Sequence, residues 1–272
     1  MPPSPPSLAL KAWLRAQRAR GVADQTLRVA MLAQGWEQEA AEQALGDPIE
    51  TAGAGQACPA VADPDEPRLW AHDRWLTVRM RMRQPRLVLL DDVLTPQECL
   101  DLMAEAMPRL RRSETVSAHS GSAEVNHART SEGMFFRRGE SPLVAQLEAR
   151  LAALSQWPAS HGEGLQVLRY GAGSEYRPHQ DYFDTRHPGA AALLRRGGQR
   201  LATIIVVLRT PEAGGATVFP DAGLEIAPQC GQAIFFEYGD AHASCRALHG
   251  GKPVLQGEKW IATKWLRAET FD

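Results

Sequence analysis

The second half of this 272-residue chain is a succession of short apolar runs separated by turn residues, and no other feature restricts the fold as strongly. The runs are four to eight residues long and cover residues 165–170, 201–208, 216–219, 233–237 and 259–266. Glycine pairs such as Gly214-Gly215 and Gly250-Gly251 interrupt them. Many short strands at this spacing are typical of a sandwich or a jelly roll. We therefore predict a mainly β fold with flanking helices, in the α+β class.

The flanking helices are predicted in the residues that precede these runs. Residues 95–98 read Thr-Pro-Gln-Glu, which is typical of a helix start in which Thr95 is the N-cap and Glu98 closes a capping box. The other elements predicted before residue 164 are a helix at 69–82, an apolar strand at 87–90 and an amphipathic helix at 143–154.

The N-terminal residues have a different pattern from the rest of the chain. Leu10, Trp13 and Leu14 share one helical face, and Gly21 and Gly35 break the apolar periodicity. Residues 7–46 therefore predict a small bundle of three helices. Residues 47–67 are rich in proline and glycine and predict a linker. The remaining residues, 68–272, are assigned to one larger domain.

Composition and charge argue against several functional classes. The formal net charge is −2, whereas a dedicated nucleic-acid binder is usually basic. No apolar run approaches the ~20 residues that a membrane-spanning helix needs, and residues 1–6 do not resemble the start of a signal peptide. The four cysteines are scattered without a CxxC motif, as free thiols in a reducing compartment would be. We therefore expect a cytoplasmic protein that binds neither nucleic acid nor membrane.

A candidate metal site begins at His179-Gln180-Asp181. On an extended chain, residues i and i+2 project from the same face, so His179 and Asp181 can bind one ion together. His249 would complete two histidines and one carboxylate, the facial triad of non-haem iron(II) oxygenases. His242 lies seven residues before His249 and is the alternative third ligand. Alone, the His-x-Asp spacing is weak evidence, because a lone histidine is more often structural.

A lysine on the last apolar run strengthens this interpretation. Lys259, Ile261, Thr263 and Trp265 share one face of the predicted strand. If that face lines a barrel, Lys259 is a buried cation and needs an anionic partner. No matching carboxylate is evident nearby, so a small bound dianion would satisfy it. The alternative is that Lys259 reaches a rim while Lys264 simply faces solvent.

Several separated motifs resemble the catalytic domain of the prolyl 4-hydroxylases, which are iron(II)- and 2-oxoglutarate-dependent dioxygenases. The resemblance spans residues 85–267 and is strongest in 163–170 and 257–260. Residues 129–135 also match. The chain departs from the family at Cys230, where a basic residue is common, and in the individual segment 185–197. The resemblance implies a double-stranded β-helix, the jelly roll of this family, as the catalytic domain.

The resemblance also assigns residues to three roles. The implied iron ligands are His179, Asp181 and His249. The implied 2-oxoglutarate contacts are Lys259 and Tyr170, which hold the C5 carboxylate, together with Thr203 and Trp265. The implied substrate contacts are Tyr176 and Arg129, whose alternative roles are a core aromatic and a surface charge.

The implied activity is hydroxylation of an aliphatic C–H bond, with a prolyl residue of a peptide or protein as the favoured substrate. The implied cofactors and cosubstrates are iron(II), 2-oxoglutarate, O2 and ascorbate. Two alternatives are a hydroxylase of a free amino acid or small metabolite, and a catalytically silent binding module. The N-terminal bundle resembles ubiquitin-associated three-helix bundles, which implies a protein partner; its alternative role is a packing appendage.

Overall fold

In a computed structural model, the chain divides into two compact units, residues 1–57 and residues 58–272. The structure describes residues 24–33, 36, 41, 45, 58–61, 67–112, 115–116, 123–124, 130–239 and 241–272. Within these residues, no helix combines the length and the apolar character that crossing a membrane requires.

The N-terminal unit contains one described helix, α1 (Asp24–Ala33). Leu27 and Met31 lie one turn apart on this helix and are both buried, as the apolar spacing predicts. The first predicted helix and most of the third lie outside the described residues. The three-helix bundle therefore stays a prediction.

The described residues of the larger unit are mainly β, as predicted, with three α-helices. The helices are α2 (Pro96–Ala106), α3 (Pro142–Ser155) and α4 (Ala190–Leu194). The strands are β1 (Arg68–Ala71), β2 (Arg74–Arg83), β3 (Arg86–Asp91), β4 (Arg111–Arg112), β5 (Thr115–Val116), β6 (Ala123–Glu124), β7 (Glu132–Phe135), β8 (Gln166–Tyr170), β9 (Tyr176–His179), β10 (Arg200–Arg209), β11 (Ala213–Gly214), β12 (Thr217–Phe219), β13 (Leu224–Ile226), β14 (Ala233–Glu237), β15 (His249–Gly251), β16 (Val254–Gln256) and β17 (Lys259–Arg267).

Two sheets make up most of this unit. The larger one has nine strands in the order β1-β2-β3-β14-β10-β17-β8-β7-β4, and the smaller one has four in the order β13-β12-β15-β9. The pairs β11-β16 and β5-β6 are separate. Neighbouring strands in these sheets run antiparallel throughout the described residues.

The nine-stranded sheet is covered on both faces, and β10 shows this most clearly. Ile204 and Val206 belong to a core cluster that also contains Leu102 of α2 and Leu147 of α3. Ile205 belongs to a second cluster, which includes side chains of the four-stranded sheet. Since neighbouring side chains of a strand point to opposite faces, helices cover one face of the large sheet and the small sheet covers the other.

The helix predicted at 69–82 is wrong, because these residues form the hairpin β1-β2. Burial alternates along β1, where Leu69 and Ala71 are buried and Trp70 is exposed. This period of two is a strand pattern, and His72 turns the chain with a φ of 60°. Trp70 pairs across the hairpin with Trp75, with ring centroids 5.6 Å apart.

The two other predicted helices are confirmed as α2 and α3. At the start of α2, the backbone N–H of Glu98 donates to Thr95 Oγ1 at 3.1 Å. The backbone N–H of Thr95 donates in turn to Glu98 Oε2 at 2.6 Å, which completes the capping box. The predicted strand at 87–90 is confirmed as β3, and β8, β10, β12, β14 and β17 correspond to the five apolar runs.

Candidate metal centre

Two strands of the four-stranded sheet bring the predicted metal ligands together. β9 and β15 pair so that His179 lies directly opposite His249, and their ring centroids are 4.4 Å apart. Asp181 follows β9 and reaches both rings, with Oδ1 3.4 Å from His179 Nε2 and Oδ2 3.4 Å from His249 Nε2. One ligand atom from each residue lies within 4.8 Å of the other two.

The backbone selects the tautomer of both histidines. His179 Nδ1 lies 3.0 Å from the carbonyl oxygen of Arg177, and His249 Nδ1 lies 3.0 Å from that of Ala247. Because a carbonyl oxygen can only accept, each Nδ1 carries the proton and each Nε2 keeps a free lone pair. Both lone pairs face Asp181. The residues therefore offer two imidazole nitrogen donors and one carboxylate, a set that fits iron(II).

The ionisation states also suit a metal site. Burial lowers the pKa of His249 to about 4, so its ring is neutral at physiological pH. Burial alone would raise the pKa of Asp181, but the His249 and His179 rings and the Arg200 guanidinium hold it well below its usual range. Asp181 is therefore an ionised carboxylate beside the neutral ring of His249.

His242, the alternative third ligand, lies apart from this cluster. Its ring is exposed, and its Nδ1 accepts the backbone N–H of Ser244 at 3.2 Å. That contact uses the lone pair to cap a short turn. Of the two candidates, the structure places only His249 against Asp181.

A cleft opens beside the three ligands and encloses about 540 Å³ including its mouth. Its lining residues include Tyr170, Tyr176, His179, Asp181, Thr217, His249, Lys259, Ile261, Thr263 and Trp265. The predicted inward face of β17 therefore lines one wall.

Lys259 lies in this cleft as a buried cation without an acidic partner. Its side chain is 6% exposed, and Nζ donates to the Gly215 carbonyl at 2.7 Å and to Thr217 Oγ1 at 3.3 Å. Burial lowers its pKa to about 8, and no ion pair among the described residues includes it. An ammonium has three donors, so one stays available to a ligand. Tyr170 is its direct cross-strand neighbour on β8.

Lys264 does not face solvent, so that part of the alternative is wrong. It is 2% exposed, and its Nζ lies 2.5 Å from Oε1 of Glu148 in α3. The reason is that helices cover the second face of the nine-stranded sheet. The face of β17 opposite the cleft packs against helices instead of water, and a lysine there needs a buried carboxylate.

The remaining predicted site residues have different positions. Tyr176 lines the cleft and stacks on His179, with centroids 3.8 Å apart. Trp265 lies under the Arg200 guanidinium at 4.0 Å, and its buried Nε1 has no hydrogen-bond partner in the described residues. Thr203 is placed behind Asp181 and not on the cleft wall, because its hydroxyl donates to Asp181 Oδ2 at 2.6 Å. Arg129 lies outside the described residues.

Two residues at the site were missed by reasoning from the sequence. The Tyr238 hydroxyl contacts the Thr203 hydroxyl and lies 3.4 Å from Asp181 Oδ2. Arg200 holds Glu163 with two hydrogen bonds and donates to the Asp181 carbonyl at 3.3 Å. The pairing of β10 with β14 places Phe236 opposite Thr203, which brings Tyr238 to the same edge. Tyr238 could have been predicted only from the register of β10 against β14, and the apolar runs in the sequence do not determine that register.

Comparison with known proteins shows what this chain is similar to. Residues 165–267 match the family model described as the 2OG-Fe(II) oxygenase superfamily. Prolyl 4-hydroxylase 1 of Arabidopsis thaliana is 42% identical over 201 residues, which cover 67% of this chain and 69% of the relative. Probable prolyl 4-hydroxylase 3 of the same plant is 37% identical over 220 residues, covering 73% and 74%.

One solved structure carries the same likeness at the level of the fold. It is the 2OG complex of the viral collagen prolyl hydroxylase vCPH from Paramecium Bursaria Chlorella virus-1. It is 30% identical to this chain with a TM-score of 0.51, and the match covers 66% of this chain and 95% of the viral one.

Proposed function

This chain belongs to the prolyl 4-hydroxylase family of 2-oxoglutarate- and iron(II)-dependent dioxygenases, and from that premise we propose that it hydroxylates prolyl residues of a peptide or protein. One observation carries the proposal. A His-Asp-His cluster and a buried lysine without an acidic partner share one cleft. In this reading the larger unit is a double-stranded β-helix, which the two stacked sheets support.

The cleft has a place for each reactant. His179, Asp181 and His249 would hold iron(II), and Lys259 with Tyr170 would hold a carboxylate of 2-oxoglutarate. Iron(II) bound there with 2-oxoglutarate and O2 supplies the oxidising power, and 2-oxoglutarate leaves as succinate and CO2. The protein contributes by binding the reactants, orienting the target C–H bond and excluding water.

The aromatic surface around the cleft supports a peptide substrate. Tyr176 and Trp265 line the cleft, and Phe135 lies 6.3 Å from the Trp265 ring. Phe135 is 49% exposed, so an apolar surface continues from the cleft onto the outside of β7. An extended chain of prolyl residues would pack along such a surface, whereas a free amino acid needs only the enclosed part.

A coupled assay tests this function. Purified protein with iron(II) and 2-oxoglutarate is incubated with proline-rich peptides, and separately with free proline. Succinate is quantified, and the peptides are examined by mass spectrometry for the added oxygen atom. We expect hydroxylated peptide in proportion to succinate. Coupled turnover of free proline alone would favour the metabolite hydroxylase, and no succinate under any condition would favour the silent binding module.

Three narrower proposals accompany this function. Ascorbate serves as an additional cofactor. Activity assays with and without ascorbate test this proposal. The N-terminal unit binds a protein partner, supported by the exposed apolar side chains of Val29 and Leu32 on α1; binding of the full chain to ubiquitin, compared with Leu32→Asp, tests it. The protein acts in the cytoplasm, supported by its free thiols, and cell fractionation tests that location.

A further inference from the structure

The carboxylate ligand is supported by two hydroxyl groups from the nine-stranded sheet. Thr203 lies in β10, and Tyr238 directly follows β14. Both side chains are fully buried. Their hydroxyl oxygens are in contact with each other on the side of Asp181 that carries Oδ2. The two hydroxyls and the carboxylate therefore form one buried polar group.

The distances set the direction of these hydrogen bonds. A threonine hydroxyl has one proton, and the separation of 2.6 Å assigns it to Asp181 Oδ2. The Tyr238 oxygen lies 3.4 Å from the same Oδ2, beyond the usual ~2.5–3.0 Å of an O–H···O bond. The proton of Tyr238 therefore goes to the oxygen of Thr203. The group is a chain in which Tyr238 donates to Thr203 and Thr203 donates to Asp181.

The hydroxyl of Tyr238 has no role in packing. Its ring lies 6.0 Å from the rings of Tyr182 and Phe236 and belongs to the apolar cluster between the two sheets. A phenylalanine would fill the same space. Burying a phenol oxygen there costs free energy unless it forms a hydrogen bond. The hydrogen bond to Thr203 therefore accounts for the presence of a buried hydroxyl at this position. Hydrogen bonds that are linked in a chain also strengthen one another.

We propose that Tyr238 is a positioning residue of the metal site, which acts through Thr203 to fix the orientation of the Asp181 carboxylate between the two imidazoles. The inference rests on the proposed function, because it assumes that Asp181 is a metal ligand. Arg200 holds the backbone carbonyl of Asp181. The relay from Tyr238 instead holds the side chain, so the two supports are separate.

Metal affinity, measured without turnover, tests this role. Co(II) is titrated anaerobically into the full-length wild-type protein and into Tyr238→Phe, Thr203→Val and the double variant, followed by calorimetry and by the visible Co(II) absorption band. Loss of a partner of a metal ligand costs about 10- to 100-fold in metal affinity. We expect a loss in that range for Thr203→Val and a smaller loss, about three- to tenfold, for Tyr238→Phe. The double variant should match Thr203→Val, because Tyr238 acts through Thr203.

Matched variants separate this role from general destabilisation. Tyr182→Phe removes a hydroxyl from the neighbouring ring and should bind Co(II) like the wild type. Thr203→Ser keeps the donor and should restore affinity. If Tyr238→Phe does not fold, Tyr238→Met removes the same hydroxyl and should give the same loss.

The other possible results of the Co(II) titrations each contradict a specific part of the proposal. Wild-type affinity in Tyr238→Phe or Tyr238→Met overturns the role of Tyr238, and additive losses in the double variant overturn the relay through Thr203. A wild-type protein that binds no Co(II) would instead overturn the proposed function.

Discussion

Lys259 should make opposite contributions to ligand binding and to stability. Burial lowers its pKa from 10.5 to about 8. At about 1.4 kcal/mol per pKa unit, keeping this ammonium charged inside the fold costs roughly 3 kcal/mol. Replacing it with methionine removes that cost but leaves the Gly215 carbonyl without its donor, a loss of about 1–3 kcal/mol. We therefore expect Lys259→Met to raise the free energy of unfolding by roughly 0–2 kcal/mol.

The same substitution should weaken binding of 2-oxoglutarate. A charge-assisted hydrogen bond contributes about 1.5–3 kcal/mol, which corresponds to roughly 10- to 150-fold in affinity. The assay is an anaerobic titration of 2-oxoglutarate into the iron(II)-loaded protein, followed by its metal-to-ligand absorption band. Iron binding itself should be unchanged, because Lys259 is not one of the three ligands.

Lys264→Met is the matched control with the opposite result. It removes one partner of the buried pair with Glu148, so the free energy of unfolding should fall by about 3–5 kcal/mol. Affinity for 2-oxoglutarate should stay at the wild-type value, because Lys264 faces the helices and not the cleft. If Lys264→Met weakens binding and Lys259→Met does not, the assignment of the two faces of β17 is refuted.

The pH dependence of the free energy of unfolding provides an independent test of the buried Lys259 ammonium. Between about pH 8 and pH 10.5 the unfolded chain keeps the proton that folded Lys259 has lost. The free energy of unfolding therefore gains a contribution that rises with pH across this interval. Urea denaturation at several pH values should show a steeper rise in the wild type than in Lys259→Met, because burial also lowers the pKa of Lys264 in both proteins. Parallel curves for the two proteins would contradict the buried-ammonium assignment.

Three further predictions concern other parts of the molecule. His249→Ala should lose metal affinity measured by calorimetry and His242→Ala should keep it, because only His249 faces Asp181; equal losses would refute that choice. Cys99 should resist iodoacetamide until denaturant is added, since burial raises the pKa of its thiol, whereas exposed Cys230 should react in the native protein; peptide mass spectrometry distinguishes the two. Thr95→Ala should lower the free energy of unfolding by about 0.5–2 kcal/mol in urea denaturation, because it removes the capping box of α2, and an unchanged value would contradict the cap.

Local periodicity in the sequence was enough to predict some parts of the site. The i, i+2 spacing of His179 and Asp181 and the alternation that turns Lys259 inward each depend on a single strand. The sequence could not show what covers the second face of β17, so Lys264 was placed in solvent as one alternative. Tyr238 and Thr203 meet through the pairing of β10 with β14. Such pairing is a contact between distant segments, and no short motif encodes it.

The elements of the fold could also be predicted from local patterns, although one of these patterns was misread. The capping box at Thr95 was predictable because it depends on four consecutive residues. The hairpin β1-β2 was mistaken for a helix although its second strand carries a local strand signal, since Val78, Met80 and Met82 alternate with Arg79, Arg81 and Arg83. Met80 and Met82 accordingly pack against the second core cluster, so the error was a misread local pattern.

The two faces of β17 can be engineered separately. Substrate range could be evolved through libraries at Ile261, Thr263 and Trp265, whose side chains line the cleft. Thermostability could be selected in independent libraries at Ala262 and Lys264, whose side chains pack on the helix side. Because the side chains of the two faces point to opposite sides of the sheet, we expect improvements from the two libraries to recombine with only small coupling. A single strand would then serve as two independent design surfaces.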